Sequence, residues 1–223
     1  KFILKIPTPP SAAQSFGTSL HAALRDFYQA KIAGEKPQEK ELLAMLEKNW
    51  TPQGFASKHH EKLSFQKAQN FLRSFWRQVK NFPILPLALE QPFTFPLKNL
   101  RLVGRIDRVD PQKDGKIEII DYKTGANVPS QEKVDKDLQM SIYALAATQV
   151  PESPFGKKPE EVLLSLYFFE TGEKVTTQRT AKHLEAAKEE ILGWAEKIAK
   201  SDFRCSASDF CRHCEYHLLC DRG

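Results

Sequence analysis

No cysteine precedes residue 205 in this chain of 223, and all four cysteines fall within its last 19 residues. A disulfide framework spread through a secreted domain is thereby excluded, and a clustered metal or cluster site is the better reading of the tail. There is also no apolar run approaching the roughly 18 residues of a membrane helix. The opening Lys-Phe-Ile-Leu-Lys-Ile-Pro lacks the length and the cleavage site of a signal peptide. A soluble, cytoplasmic protein with no membrane partner is expected. No G-x-x-x-x-G-K-[ST] phosphate loop occurs, so these residues hold no nucleotide-driven motor. Repeats and low-complexity tracts are missing too. Residue 1 is Lys rather than Met and an apolar segment follows at once, which reads as a piece of a longer chain.

What is present is enough apolar material for a sizeable core: 41% hydrophobic residues, 15 of them Phe. Lys and Arg number 33 against 28 Asp and Glu, a net charge of +5. That bias suits a polyanionic partner without identifying one.

The chemistry concentrates between Gly104 and Gly125. Two β-rich runs, Leu100 to Val109 and Lys116 to Lys123, flank Pro111-Gln-Lys-Asp-Gly115, whose Pro and Asp-Gly suit a hairpin turn. Asp107 and Asp121 then lie side by side on neighbouring strands. Strand alternation sends Asp121 and Lys123 to one face, and Glu118, Ile120 and Tyr122 to the other. Paired carboxylates supply oxygen ligands for Mg2+ or Mn2+, and an ammonium two residues on can orient a water or offset charge on a phosphate. Asp-Tyr-Lys alone would more often be a surface ion pair beside a turn.

Around this centre, residues 1–15 read as an extended Pro-rich entry, followed by a helix from Gly17 to about Ala33 with Gly17 and His21 one turn apart. The glycine would let backbone approach closely beside the imidazole. Helices are expected over Glu39 to Trp50 and Glu61 to Asn81. The second interleaves Lys62, Lys67, Arg73, Arg77 and Lys80 with Phe65, Phe71, Phe75 and Trp76, a solvated face or a weak phosphate track. Leu85 to Phe95 reads as an edge strand interrupted by prolines; Glu90 lies on it and could approach the metal site from the strand before Asp107, although it is not among the ligands expected here. Ser130 to Val150 reads as one helix, with Gln139 and Tyr143 one turn apart. A hairpin over Glu161 to Arg179 and a helix over Ala181 to Lys200 follow.

In the tail, Cys205, Cys211, Cys214 and Cys220 give C-x5-C-x2-C-x5-C. Cysteines so spaced can close on one metal centre, but the spacing does not separate zinc from iron-sulfur, and His213 and His217 keep zinc open.

Gly17-Thr-Ser-Leu-His21, Gly104-Arg-Ile-Asp107, Asp121-Tyr-Lys123-Thr-Gly125, Gln139-Met-Ser-Ile-Tyr143 and the cysteine group, in that order, resemble the RecB-like branch of the PD-(D/E)xK nucleases. The resemblance implies an α/β fold with a mixed central β-sheet flanked by helices, built from residues 1–200, with residues 201–223 as a cysteine-rich tail packed on the same domain. It implies an Mg2+- or Mn2+-dependent DNase in DNA recombination or repair. His21, Asp107, Asp121 and the Tyr122 carbonyl would serve the metal, with Lys123, Gln139 and Tyr143 completing the site. Its relatives include nuclease domains of UvrD-type helicase-nucleases, so DNA and a helicase are the implied partners. Similar tails in AddB-type and CRISPR-associated adaptation nucleases hold a [4Fe-4S] cluster. Their fourth cysteine usually lies upstream of the Gly-x-x-x-His helix, a position this chain lacks, so the fourth ligand is either Cys205 or a residue before Lys1.

Two rivals remain. Ser64-Phe-Gln-Lys67 and Lys123-Thr-Gly125 mimic penicillin-binding boxes, but no Ser-x-Asn lies between them. The other is a DNA-binding scaffold that keeps the fold without activity.

Overall fold

The structure is a computed structural model that describes residues 10–82 and 84–201, together with Asp209, Cys211 and Cys214. The chain enters through α1 (Ala12–Ile32), whose start is fixed by Ser11 and Gln14 in a reciprocal capping box. The helix therefore begins inside the stretch that the prolines led us to expect as extended. Leu20, Ala23, Leu24, Phe27 and Tyr28 recur on one stripe of α1 and are all buried. Next come α2 (Glu39–Asn49) and α3 (Lys58–Val79), the latter capped by Ser57 and burying Ala68, Phe71, Leu72 and Phe75.

Five strands form one sheet in the order β1-β2-β3-β4-β5: β1 (Ala88–Leu97), β2 (Leu100–Pro111), β3 (Ile117–Lys123), β4 (Val162–Phe168) and β5 (Glu173–Gln178). Only β3 and β4 are parallel. A parallel neighbour needs a crossover, and α4 (Gln131–Asp135) and α5 (Leu138–Gln149) supply it. The fold class is thus a mixed sheet flanked by helices. The β2–β3 hairpin turns through Asp114 and Gly115, both left-handed at φ 57 and 72, which suits the Asp-Gly pair read from the sequence.

Each face of the sheet has its own core. Ile120, Tyr122, Tyr167 and Phe169 pack with α1, α2 and α3. Ile117, Ile119, Leu164 and Leu166 pack with α5 and α6 (Ala181–Lys200). Full burial of each such side chain contributes about 1.5–3 kcal/mol, so both layers are needed to hold the sheet between them.

The helix expected over Ser130 to Val150 is broken. Asp137 is extended (φ −66, ψ 123) and its carboxylate caps α5 through the Met140 amide at 2.9 Å. Buried Arg179 then donates to the carbonyls of Val134 and Asp137, both at 3.0 Å, and to Ser141 Oγ at 2.9 Å. Hydrophobic periodicity runs through the break because both pieces face the same core.

The β1–β2 hairpin is longer than the sheet it belongs to. Its pairing runs from Ala88↔Val109 to Leu97↔Leu100, whereas β2 pairs with β3 only from Arg108↔Ile120 to Pro111↔Ile117. Leu89 packs beside the α1–α3 core, yet Phe93, Phe95 and Leu97, of the same strand parity, join the α5 core. The ribbon therefore turns over between these residues, at Glu90 and its cross-strand neighbour Asp107. Among the described residues no helix is long and apolar enough to cross a membrane.

Candidate active site

Beyond Arg108↔Ile120 the β2–β3 ladder ends, and the Tyr122 amide donates to Asp107 Oδ2 at 2.9 Å. Asp107 is thereby pinned to the residue beside Asp121. Across from it, α1 brings His21: Nε2 lies 3.2 Å from the Tyr122 carbonyl oxygen, and Nδ1 lies 3.4 Å from Asp107 Oδ1. Burial pushes the His21 pKa down, but the hydrogen bond and charge of Asp107, with Glu90 and Asp121 behind it, outweigh burial and raise it.

Glu90 completes this group. One ligand atom each from His21, Glu90 and Asp107 lies within 4.8 Å of the others. Glu90 takes a left-handed backbone, φ 48, which costs a non-glycine residue about 1–2 kcal/mol. It sits where the ribbon turns over. The sequence places Glu90 within reach of the site, on the strand before Asp107, but not among the expected ligands; the hairpin register, which sets it opposite Asp107, brings it in.

Asp121 lies 4% exposed on the α5 side of β3, as the strand alternation predicts. Its Oδ1 accepts from Tyr143 Oη at 2.8 Å and from Gln139 Nε2 at 3.2 Å. Lys123 Nζ lies 2.7 Å from Oδ2 and donates to Gln139 Oε1, also at 2.7 Å. Lys123 is thus the ion partner of the buried Oδ2. Burial and the neighbouring Asp107 raise the Asp121 pKa, against the pull of Lys123 and Tyr143. The imidazole of His21, the carboxylates of Glu90, Asp107 and Asp121, and the Tyr122 carbonyl form a donor set that fits a hard divalent cation. Gln139 and Tyr143 are joined at 2.9 Å, so the one-turn spacing on α5 becomes a clamp on Asp121.

Behind Tyr122 lies a feature the sequence reading missed. The Arg108 guanidinium grips both oxygens of Asp110 at 2.6 and 2.5 Å, bonds Tyr28 Oη, and reaches Tyr122 Oη at 3.3 Å. It fixes the ring of the residue whose amide and carbonyl hold Asp107 and His21. The Arg-x-Asp spacing on one strand face was the visible cue.

Two glycines exchange importance. A Cβ on Gly17 would meet only Thr124 Oγ1 at 3.9 Å, so close approach beside His21 does not require glycine there. On Gly104 a Cβ would fall 2.3 Å from the Phe93 ring, which lies across the register partner and fills the space. The α3 basic residues are largely engaged: Lys67 with Glu170 at 2.5 Å, Arg73 with Glu39 at 3.4 Å, and Lys80 over Trp76. Cys211 and Cys214 are exposed, with the Cys214 amide donating to the Cys211 carbonyl at 3.2 Å. Cys205 and Cys220 lie outside the described residues.

A crystal structure of a candidate exonuclease from Eubacterium rectale is 15% identical, with a TM-score of 0.56, over 94% of this chain and 76% of that one. It shows a shared fold. A second solved structure, SSO0001, is also 15% identical over 93% of this chain and 84% of that one, with a TM-score of 0.41. No curated protein matches. The family model for the PD-(D/E)XK nuclease superfamily matches residues 1–221. Nearly the whole chain is covered, including the strands that carry Asp107, Asp121 and Lys123, and the protein belongs to the PD-(D/E)XK nuclease superfamily.

Proposed function

We propose that this protein is a divalent-metal-dependent DNase of the RecB-like type, acting in recombination or repair beside a UvrD-type helicase. The observation that carries the reading is the meeting of His21, Glu90 and Asp107 next to a buried Asp121 that is paired with Lys123. Those four ligand residues and the Tyr122 carbonyl would hold Mg2+ or Mn2+. When bound, the ion supplies charge neutralisation at the scissile phosphate and a lowered pKa for water.

The chain's own groups do the rest. Asp121 is kept in one rotamer by Tyr143 and Gln139. Gln139 also holds Lys123 Nζ, and an ammonium has three N–H donors, so capacity remains for the attacking water or a phosphate oxygen. Charge that builds on the phosphate is met by this fixed ammonium, which needs no reorganisation. The ordered motifs support the RecB-like assignment, 5′-phosphate and 3′-hydroxyl ends, and a [4Fe-4S] centre in the tail.

The test is cleavage of end-labelled single- and double-stranded DNA with Mg2+, with Mn2+ and with EDTA. Metal-dependent products ending in 5′-phosphate are expected. Protein that binds DNA but releases no product with either metal would establish the scaffold reading instead.

A further inference from the structure

Residues 91–106, most of the β1–β2 arm, carry Lys98, Arg101 and Arg105 and no acidic residue. The register places Arg101, Val103 and Arg105 at alternate positions of β2, opposite Pro96, Thr94 and Pro92 on β1. On the other face of the arm, Phe93, Phe95 and Leu97 are buried in the α5 core. The cationic face is therefore forced outward: the Arg105 side chain is 66% exposed, and even the apolar Val103 is 70% exposed. Arg101 is held along the ribbon by Thr94 Oγ1 at 3.0 Å. Lys98 sits in the turn with φ 51.

This face leads to the metal-ligand group. Continuing its parity along β2 gives Asp107, and along β1 gives Glu90. Arg105 Nη1 is 3.6 Å from Glu90 Oε2. Glu90 is thus both the neighbour of Arg105 and a proposed ligand; a cation held by Glu90 would take over that carboxylate and leave the guanidinium to another anion. Arg101 and Arg105 are four residues apart, about 13 Å along a strand, which matches roughly four stacked nucleotides at ~3.4 Å each.

We propose that the outward face of the β1–β2 arm is a phosphate track, on which Arg105, Arg101 and Lys98 hold the backbone of a single DNA strand leading to the metal site. The proposal rests on the DNase reading for the identity of the polyanion. Contacts of this kind position a strand and carry no base preference. The engaged cations of α3 contrast with these three, whose acidic neighbour within the arm is Glu90 alone.

The experiment is fluorescence anisotropy of a labelled single-stranded 20-mer, with calcium in place of magnesium, over a range of salt concentrations. It compares the wild type with a Lys98→Gln/Arg101→Gln/Arg105→Gln variant and a charge-matched control, Lys182→Gln/Lys197→Gln/Lys200→Gln on α6. Three phosphate contacts on a single strand correspond to a slope of about 2 in log K against log salt, so the arm variant should lose that much slope. At physiological salt its affinity should fall at least ~10-fold, with little change between sequences. The control should keep the wild-type slope. If the triple variant fails a melting check, Arg101→Gln alone should lose a slope of about 0.7. An unchanged slope in the arm variants, or an equal loss in the control, overturns the track. Because turnover is not measured, a wild-type protein that never cleaves DNA would sink the DNase reading while leaving an arm-dependent slope intact.

Discussion

At the scale of single residues, the site is a set of polar groups that fix one another. Asp107 is held by an amide, Asp121 by a phenol and an amide side chain, and Lys123 by Gln139. Asp107→Ala and Asp121→Ala are each expected to lower single-turnover cleavage by at least ~10²-fold, while DNA affinity stays within a few-fold. Full activity in either variant would remove these residues from the site. Lys123→Arg is not expected to restore function, since a planar guanidinium cannot replace a compact ammonium wedged between Asp121 and Gln139. The glycines give a paired stability test. Gly104→Ala forces a methyl into the Phe93 ring and should cost about 1–3 kcal/mol in urea unfolding. Gly17→Ala has room in a helix interior and should be neutral or stabilise by up to ~1 kcal/mol.

At the scale of elements, the short joints decide where side chains arrive. Asp137 starts α5 two residues before Gln139, so Asp137→Ala should cost about 0.5–2 kcal/mol and also lower kcat, whereas Asp137→Ser should retain both. Equal activity in the two variants would show that the cap does not position Gln139. On the opposite layer, Asp26 joins α1 to α2. It accepts from Arg25 Nη2 at 2.7 Å, Asn49 Nδ2 at 2.9 Å and Lys48 Nζ at 3.4 Å. Burial alone would raise its pKa, but these donors lower it below the usual carboxylate value. A depressed folded pKa stabilises the fold above the unfolded-state value near 4 and loses that effect as the pH falls through the folded value. The stability gap between wild type and Asp26→Ala, measured by urea unfolding, should therefore be largest above about pH 4 and shrink below it. A gap that widened in acid would contradict this joint.

At the scale of the whole molecule, the proposed metal ligands come from α1, β1, β2 and β3, so binding an ion would staple four elements together. Mn2+ should raise the melting temperature of the wild type, by about 2.7 kcal/mol of added stability at 100 times Kd, and should leave Asp107→Ala nearly unmoved. Equal shifts in both proteins would place the ion elsewhere. The proposed tail cluster has its own readout. Anaerobically purified protein should be brown, with Cys205→Ser and Cys214→Ser bleaching it equally if Cys205 is the fourth ligand. Colourless protein with stoichiometric zinc would refute the iron-sulfur assignment.

The sequence by itself determined the β2–β3 hairpin, the shared face of Asp121 and Lys123, the edge position of β1 and the span of α6. Each follows from a local period, a turn residue or a proline, and local geometry depends on near neighbours alone. Only the tertiary structure decided that Glu90 meets His21 and Asp107, that Arg108 ties Tyr28 to Tyr122, and that Gly104 rather than Gly17 must lack a side chain. It also decided that residues 130–150 form two helices, with the extended Asp137 between them and Arg179, some 40 residues away, bound to the Val134 and Asp137 carbonyls at the break. Such pairings are set by how strands register and where a ribbon turns over. Chain periodicity is the same on either side of those events, and only packing of the two cores against one sheet selects among them.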